Sequence, residues 1–219
     1  ERLMLEPSRF WVERTVRPVY KVKQDEQALS ATLVQAPSTP VILPGCIAGE
    51  SLLSQIIVDK FLYHLPEYRQ AKRFKELGVE ISTSSMNRWV HATADKLYGL
   101  YAAQMERVLS AGYIQVDETT HPITHRPGSA RKGYIWVVRS VLVPGVFFYY
   151  DKGSRSGEVV LKMLKGYQGA LQTDGYAAYS IFEEKKGVLP LGCMAHVRRK
   201  FENALTTTPE AKPALDYIA

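Results

Sequence analysis

The run Ala111-Gly112-Tyr113-Ile114-Gln115-Val116-Asp117-Glu118-Thr119-Thr120 decides the fold, because an acidic residue ends a strand-like segment there. Aromatic and β-branched residues over 113–116 predict that strand. The arrangement returns at Ala170-Leu171-Gln172-Thr173-Asp174-Gly175-Tyr176, where a second aspartate follows a second strand-like segment. Asp117 and Asp174 are therefore the first candidates for a functional site.

The order of elements around these two segments predicts the architecture. Three strand-like runs come first, and turns at 127–129 and 144–145 join them into an antiparallel meander. Helices and strands then alternate. The predicted elements are strands at 113–116, 133–140 and 145–151, a helix at 156–165, a strand at 169–173, a short helix at 176–185, a strand at 188–193 and a helix at 195–205. This is the order of the ribonuclease-H-like fold, a mixed α/β (α+β) architecture with a mixed five-stranded sheet.

In that topology the first strand and the strand after the first helix are neighbours at the centre of the sheet. Asp117 and Asp174 are then close in space, and aspartates on stiff strand ends suit Mg²⁺, which prefers hard oxygen ligands. Two such ions about 3.5–4 Å apart cleave and join phosphodiesters without a protein base. The alternative is that each aspartate only forms a turn, for which Asp174-Gly175 is a common dipeptide.

Upstream, residues 45–111 have the apolar spacing of helices. The first helix is predicted from Ser51, taken as its cap, to Phe61. A second is predicted over 67–77, with Pro66 in its first turn and Gly78 past its end. A serine and threonine cluster at 82–85 then caps a third helix, which ends at Gly112. Helix, glycine turn and capped helix match a helix-turn-helix that reads DNA, although an αα-hairpin that only packs has the same pattern.

The candidate DNA-binding residues carry a positive charge or a hydroxyl group. They lie on the second predicted helix (Arg69, Lys72, Arg73), at the start of the third (Ser84, Ser85, Arg88) and on the helix after the last strand (Arg198, Arg199, Lys200). For those on the last helix, an exposed basic helix start is the alternative explanation.

The formal net charge of +6 and the pI near 9.2 favour an anionic partner, of which nucleic acid is the commonest. No apolar run approaches the roughly 18–20 residues that span a bilayer, and the N-terminus has no signal-peptide pattern. We therefore expect a cytoplasmic protein without a membrane partner, whose Cys46 and Cys193 are free thiols. Because residue 1 is Glu, we also expect a fragment or a processed chain.

Composition divides the chain into four predicted regions. Residues 1–44 form an extended segment and a linker rich in proline and glycine. Residues 45–111 form the helical DNA-binding region, 112–205 the core, and 206–219 the start of a further helical segment. Among other metal-ligand types, His121 and His125 are expected on a turn around Pro122, at the surface. Cys193 and His196 resemble half a zinc site, and we expect a buried thiol and a polar helix start instead.

Three motifs together resemble one family. Val116-Asp117-Glu118-Thr119, Leu171-Gln172-Thr173-Asp174-Gly175-Tyr176 and Cys193-Met194-Ala195-His196-Val197-Arg198-Arg199-Lys200-Phe201 occur in the order seen in DDE transposases of bacterial insertion sequences, the sixty-six family. His64-Leu65-Pro66-Glu67-Tyr68-Arg69-Gln70 and Leu77-Gly78-Val79-Glu80-Ile81-Ser82 precede them in family order. The similarity runs from about residue 15.

The resemblance implies a ribonuclease-H-like catalytic core that nicks element ends and joins them to target DNA with Mg²⁺, or Mn²⁺ as a substitute. Asp117 matches the first acid of the triad and Asp174 the second. The resemblance also implies that the partner is double-stranded DNA and that the protein assembles as a homo-oligomer on that DNA. It implies a location in the cytoplasm of a bacterium, associated with the nucleoid. The rival functions are a catalytically inactive DNA-binding regulator and a structure-selective nuclease of the same fold.

The resemblance places the third acid, a glutamate, beyond residue 219 and after an inserted helical segment. Glu202 is the local alternative, and we expect the isolated chain to bind Mg²⁺ weakly and to have little activity. Relatives often carry a zinc-binding cysteine pair where this chain reads Lys21-Val22-Lys23-Gln24-Asp25-Glu26. We therefore expect no structural zinc.

Overall fold

The computed structural model describes residues 2–3, 8–21, 33–126 and 128–218, and it describes the backbone alone for His125 and Arg126. Most of the segment 21–26, on which the zinc prediction depends, lies outside these residues, as does Pro127 of the predicted turn. The chain forms two compact units, Glu1–Tyr98 and Gly99–Ala219. The division falls inside one long helix, and each unit has its own core.

The first unit combines a small hairpin with helices. Strands β1 (Val19–Lys21) and β2 (Leu33–Gln35) pair antiparallel. Helices α1 (Glu50–Phe61), α2 (Glu67–Glu76) and α3 (Thr83–Leu109) follow, as predicted. The predicted Ser51 cap is wrong, because α1 starts at Glu50 with Gly49 in the N-cap position. An acidic residue in the first turn is favourable there, since it faces the positive end of the helix dipole.

Four buried side chains from the three helices form the core of the first unit: Ile56, Phe74, Met86 and Val90. Phe10 adds an edge-on contact to Phe74, with ring centroids 5.2 Å apart. Burying an apolar side chain of this size contributes about 1.5–3 kcal/mol. The turn between α2 and α3 passes through Gly78, whose positive φ of 85° is easily adopted only by glycine.

The second unit is built on a mixed five-stranded sheet of order β5-β4-β3-β6-β7. Strands β3, β4 and β5 are antiparallel neighbours, while β6 runs parallel to β3 and β7 runs parallel to β6. The strands are β3 (Tyr113–Arg126), β4 (Ser129–Ser140), β5 (Val146–Tyr149), β6 (Gly169–Thr173) and β7 (Val188–Gly192). The predicted ribonuclease-H-like architecture is confirmed.

Helical segments connect and follow these strands. The crossover from β5 to β6 contains a short α-helix, and the connection from β6 to β7 is a 3₁₀ helix rather than an α-helix. Two α-helices separated by a 3₁₀ turn come after the last strand. The segments are α4 (Gly157–Met163), the 3₁₀ helix Ala177–Phe182, α5 (Met194–Ala204), the 3₁₀ turn Pro209–Ala211 and α6 (Lys212–Tyr217).

Strand β3 is longer than predicted, and the expected turn around Pro122 is wrong. The strand continues to Arg126, so His121 and the backbone of His125 belong to it, and Pro122 is opposite Lys132 of β4. In the described sheet β3 pairs with β6 only up to Gln115. Beyond that residue β3 has one free edge, where a proline without an N–H group is tolerated.

The two faces of the sheet differ in chemistry because side chains alternate along a strand. Ile114 and Val116 of β3, with Trp136 and Val138 of β4, belong to the buried core of the second unit. The residues between them point to the other face. That opposite face includes Gln115, Asp117, Val137, Arg139, Gln172 and Asp174.

Cys46 and Cys193 are free thiols, as predicted. In the part of the chain that the structure describes, no helix has both the length and the apolar character needed to cross a membrane.

Candidate active site

Asp117 lies on β3, and Asp174 directly follows the neighbouring parallel strand β6. The last paired residues of β3 and β6 are Gln115 and Gln172, and each aspartate lies two residues beyond its strand's member of that pair. A two-residue step returns a side chain to the same face of a strand. The two aspartates are therefore expected on the same face of the sheet, and both line one cleft there.

A hydrogen-bonded glutamine pair, Gln115 and Gln172, lies two residues before the aspartates on the same two segments. Gln115 Nε2 donates to Gln172 Oε1 over 2.6 Å, and the Tyr113 hydroxyl donates to the same oxygen over 3.0 Å. Gln172 Nε2 in turn donates to the Gly192 carbonyl on β7 over 3.3 Å. These bonds fix three neighbouring strands directly beneath the acidic positions.

Each aspartate also accepts a hydrogen bond from the backbone that follows it. The Glu118 N–H donates to Asp117 Oδ1, and the Tyr176 N–H donates to Asp174 Oδ1, both over 2.9 Å. Gly175 lies between Asp174 and Tyr176 with a positive φ of 78°. Asp174 therefore stabilises the turn that follows β6 through one of its two carboxylate oxygens.

Both aspartates line an open cleft of about 220 Å³. The Asp117 side chain is 57% exposed, so its carboxylate is accessible from the cleft. All the lining residues belong to the second unit: Gln115, Val116, Asp117, Val137, Arg139, Gln172, Thr173, Asp174, Cys193 and His196.

The start of α5 supplies the far wall of the cleft. The Cys193 N–H donates to the Thr173 carbonyl over 2.8 Å, which extends the pairing of β6 and β7 by one residue. His196 follows in the first turn, and its Nε2 lies 3.8 Å from Asp117 Oδ2. Sequence reasoning expected only a buried thiol and a polar helix start here. Cys193 is instead half-buried and lines the cleft beside His196.

Arg139 is a cleft residue that sequence reasoning missed. It is exposed on β4 directly opposite Gln115, on the same face as Asp117. A guanidinium group suits phosphate recognition because it presents several donors in a fixed plane. The alternation of residues along 136–139 could have indicated this position, because Arg139 falls on the face opposite the apolar Trp136 and Val138.

The two cleft carboxylates are suitable ligands for a hard divalent cation, but they do not by themselves enclose one. Mg²⁺ is commonly held by one or two carboxylates together with water and substrate oxygens. Asp117 and Asp174 supply two such carboxylates, but within residues 2–3, 8–21, 33–126 and 128–218 no group of three or more His, Cys, Asp and Glu could enclose a metal. The Glu202 carboxylate pairs with Arg198 on the surface of α5, and Glu202 is not one of the residues that line the cleft.

The predicted DNA-binding residues of α2 differ in their surroundings. Arg69 and Lys72 are exposed, and Arg69 Nε donates to the Tyr68 hydroxyl over 3.0 Å. Arg73 instead donates to the buried carboxylate of Asp59 on α1. Arg73 therefore holds two helices together as well as adding charge.

At the start of α3, the Ser82 hydroxyl accepts the Ser85 N–H over 3.1 Å, so the predicted serine cap is confirmed. The hydroxyls of Ser84 and Ser85 both bond to Ser82, and Arg88 donates to the Ser85 hydroxyl over 3.3 Å. In the second unit, Arg199 and Lys200 are exposed on α5, whereas Arg198 pairs with Glu202.

The mixed five-stranded sheet of the second unit, with β3, β4 and β5 antiparallel and β6 and β7 parallel to β3, places the chain in the ribonuclease-H-like class of proteins. Within that class the chain belongs to the IS66 transposase family, since the family model described as "Transposase IS66 family" matches residues 45–219. The resemblance inferred from the sequence motifs is thereby confirmed.

Three curated relatives come from Sinorhizobium fredii (strain NBRC 101917 / NGR234). The chain is 31% identical to the uncharacterized protein y4jD over 236 residues, covering 100% of this chain and 45% of that protein. It is 32% identical to the uncharacterized protein y4qI, covering 92% of this chain and 39% of that protein. It is 34% identical to the uncharacterized protein y4hP, covering 89% of this chain and 36% of that protein. The chain thus spans less than half the length of these relatives.

Proposed function

We propose that the chain contributes the catalytic core of a transposase that cuts insertion-sequence ends and joins them to target DNA by Mg²⁺-dependent phosphodiester transfer. The observation that carries this proposal is the pair Asp117 and Asp174. Each lies two residues past the last pair of β3 and β6, and both line one open cleft in a chain of the transposase family.

Asp117 and Asp174 are the residues that would hold Mg²⁺, with Mn²⁺ as a substitute. When bound, the metal supplies an activated water or 3′-hydroxyl and neutralises charge on the reacting phosphate. The chain itself orients both carboxylates through backbone N–H donors and places the charge of Arg139 on the same face. A DNA phosphate that enters the cleft therefore meets two carboxylates and one guanidinium.

Each predicted region of the chain has its own part in this proposal. Residues 45–111 would contact double-stranded DNA through the exposed charges of α2 and the start of α3, and 112–205 would form the catalytic core. The basic residues Arg198, Arg199 and Lys200 lie on α5 shortly after the cleft residue His196 and would hold phosphates. Assembly as a homo-oligomer on DNA, in the nucleoid of a bacterial cytoplasm, belongs to the same proposal.

The test compares Asp117→Asn and Asp174→Asn with the unmodified full-length protein in an assay that cleaves labelled element ends in Mg²⁺. We expect either substitution to lower cleavage more than about a hundredfold, because even groups that only orient a metal ligand account for about 10- to 100-fold. Thermal unfolding and DNA affinity should be unchanged. Asp216→Asn is the matched control, since Asp216 is an exposed carboxylate paired with Lys212 on α6.

Retained cleavage in either cleft variant would contradict the assignment of that aspartate. An unmodified protein that binds element ends without cutting them would favour the inactive regulator. Cutting of branched DNA without strand joining would favour the nuclease. Strand joining by residues 1–219 alone would identify Glu202 as the third acid, despite its place outside the cleft lining.

A further inference from the structure

Arg155, in the loop before α4, contacts both chain segments that carry the cleft aspartates. Its Nε donates to Glu118 Oε1 over 2.6 Å, and its Nη2 donates to the same oxygen. Its guanidinium carbon lies 3.7 Å from the centroid of the Tyr176 ring. Glu118 directly follows Asp117, and Tyr176 is the second residue after Asp174. We call this set, Glu118, Arg155 and Tyr176, the Arg155 bridge.

The bridge reaches the carboxylates through the backbone. The N–H of Glu118 donates to Asp117 Oδ1, and the N–H of Tyr176 donates to Asp174 Oδ1. The residue that Arg155 contacts on each segment is therefore the residue whose N–H holds that segment's aspartate. A displacement of either contact would move a hydrogen-bond donor of one cleft carboxylate.

Glu118 is fully paired inside the second unit. Its side chain is 2% exposed, and its other oxygen, Oε2, accepts the Tyr179 hydroxyl over 3.0 Å. Burial opposes the charge on Arg155, but the hydrogen bond and the charge of Glu118 outweigh it and raise the pKa of Arg155. A buried, charge-assisted contact of this kind fixes geometry more strictly than a surface ion pair does.

The loop that carries Arg155 is itself anchored to the sheet. The Trp136 indole N–H, on β4, donates to the carbonyl of Ser154 over 3.2 Å. A second aromatic ring, that of Tyr134, lies 5.2 Å from the Arg155 guanidinium carbon. The contacts of Trp136 with Ser154 and of Tyr134 with Arg155 therefore hold the bridge against β4.

The backbone pairing between β3 and β6 stops before the aspartates. In the described sheet, the pairs between β3 and β6 end at Gln115 and Gln172. Asp117 and Asp174 lie beyond this last pair, so side-chain contacts must hold the two segments together there. The Arg155 bridge spans the two segments just past the aspartates.

We propose that Arg155 is a positioning residue, which sets the separation of the Asp117 and Asp174 carboxylates by joining Glu118 to Tyr176. The inference rests on the proposed function, because that separation matters when the two carboxylates hold one metal ion. Groups that orient metal ligands account for about 10- to 100-fold in metal affinity.

The experiment uses the full chain and removes the bridge in two ways. The double variant Arg155→Met/Glu118→Gln removes the bridge and leaves no unpaired buried charge, which Arg155→Met alone would do. Tyr176→Leu removes the stacking contact and leaves the Arg155 and Glu118 pair in place. Lys162→Met is the matched control, since Lys162 is an exposed cation of the same unit whose ion-pair partner is Asp151.

Two quantities are measured for each variant: amide hydrogen exchange by NMR, and Mn²⁺ affinity from the electron paramagnetic resonance signal of free Mn²⁺. In the double variant we expect the Glu118 and Tyr176 amides to exchange faster while β4 amides keep their rates. The Mn²⁺ dissociation constant should rise about tenfold. Tyr176→Leu should change both quantities in the same direction by less, and Lys162→Met should change neither.

Unchanged exchange at Glu118 and Tyr176 in both bridge variants would overturn the bridge. Faster exchange with an unchanged Mn²⁺ affinity would overturn its positioning role. Failure of the proposed function is seen separately, as a Mn²⁺ affinity of the unmodified chain that does not respond to Asp117→Asn. The exchange rates test the bridge without reference to any metal.

Discussion

Asp117 and Glu118 are adjacent acids with opposite environments. Asp117 is largely exposed in the cleft, whereas the Glu118 side chain lies on the core face and bonds to Arg155 and Tyr179. Burial, together with the charge of Glu118, raises the pKa of the Tyr179 hydroxyl far above its ordinary value. Tyr179 therefore stays protonated and can donate to Glu118. Asp117, a candidate metal ligand, and Glu118, which holds the fold together, are therefore consecutive residues of β3 that face opposite sides of the sheet.

Arg73 is a predicted DNA-binding residue that also has a structural role, because it pairs with Asp59. The carboxylate of Asp59 is 4% exposed and pairs with Arg73, whose side chain is 41% exposed. Among the residues that the structure describes, Arg73→Met leaves that carboxylate with the Gln55 amide alone, which donates over 2.7 Å. We expect the free energy of unfolding to fall by about 2 kcal/mol, less than the roughly 3–5 kcal/mol typical of a fully buried pair.

Urea unfolding measures that loss, and Lys72→Met is the control because Lys72 is exposed on the same helix. Lys72→Met should leave stability unchanged and reduce the salt dependence of DNA binding by about one unit of slope. If Arg73→Met behaved in the same way as Lys72→Met, the structural role of Arg73 would be refuted.

At the scale of elements, local patterns predicted most of the fold. Apolar spacing gave α1, α2 and α3, and β6 has the predicted bounds. The errors occurred where tertiary pairing overrides local preference. Pro122 indicated a turn, but β3 has one unpaired edge there, so the strand continues through it. The short connection after β6 closes as a 3₁₀ helix, which the apolar residues of that segment do not distinguish from an α-helix.

The contact between α1 and α2 gives a prediction for pH. Lys60 near the end of α1 pairs with Glu67 in the first turn of α2. The hydrogen bond from Lys60 lowers the pKa of Glu67 below its ordinary value of 4.5, against the opposing effect of burial. A lowered pKa adds stability that is present above the ordinary value and is lost as the pH falls through the folded value.

We therefore expect Glu67→Gln to lower the free energy of unfolding by about 1 kcal/mol at pH 7 and to have little effect in strong acid. Urea unfolding at several pH values measures the difference. Glu80→Gln is the control, because Glu80 pairs with Lys75 on the exposed surface of the same unit. An effect of Glu67→Gln that stayed constant down to strong acid would show that the carboxylate charge is not responsible.

At the scale of the whole molecule, the candidate site exists only because the sheet brings distant segments together. The sequence alone predicted Asp117 and Asp174 and their adjacency, since strand order determines which strands lie at the centre. It did not predict the cleft roles of Arg139, Cys193 and His196, because their places depend on the register of β4 and on where α5 begins. The Arg155 bridge was hidden for the same reason: its members come from three separate segments.

The most direct test of the proposed metal site is the anomalous scattering of Mn²⁺ in crystals of this chain grown with MnCl₂. We predict an anomalous peak between the carboxylates of Asp117 and Asp174, and its loss in Asp174→Asn crystals grown under the same conditions. A peak that persists in the variant, or Mn²⁺ bound only at other sites on the protein, would contradict the assignment of these two aspartates as metal ligands.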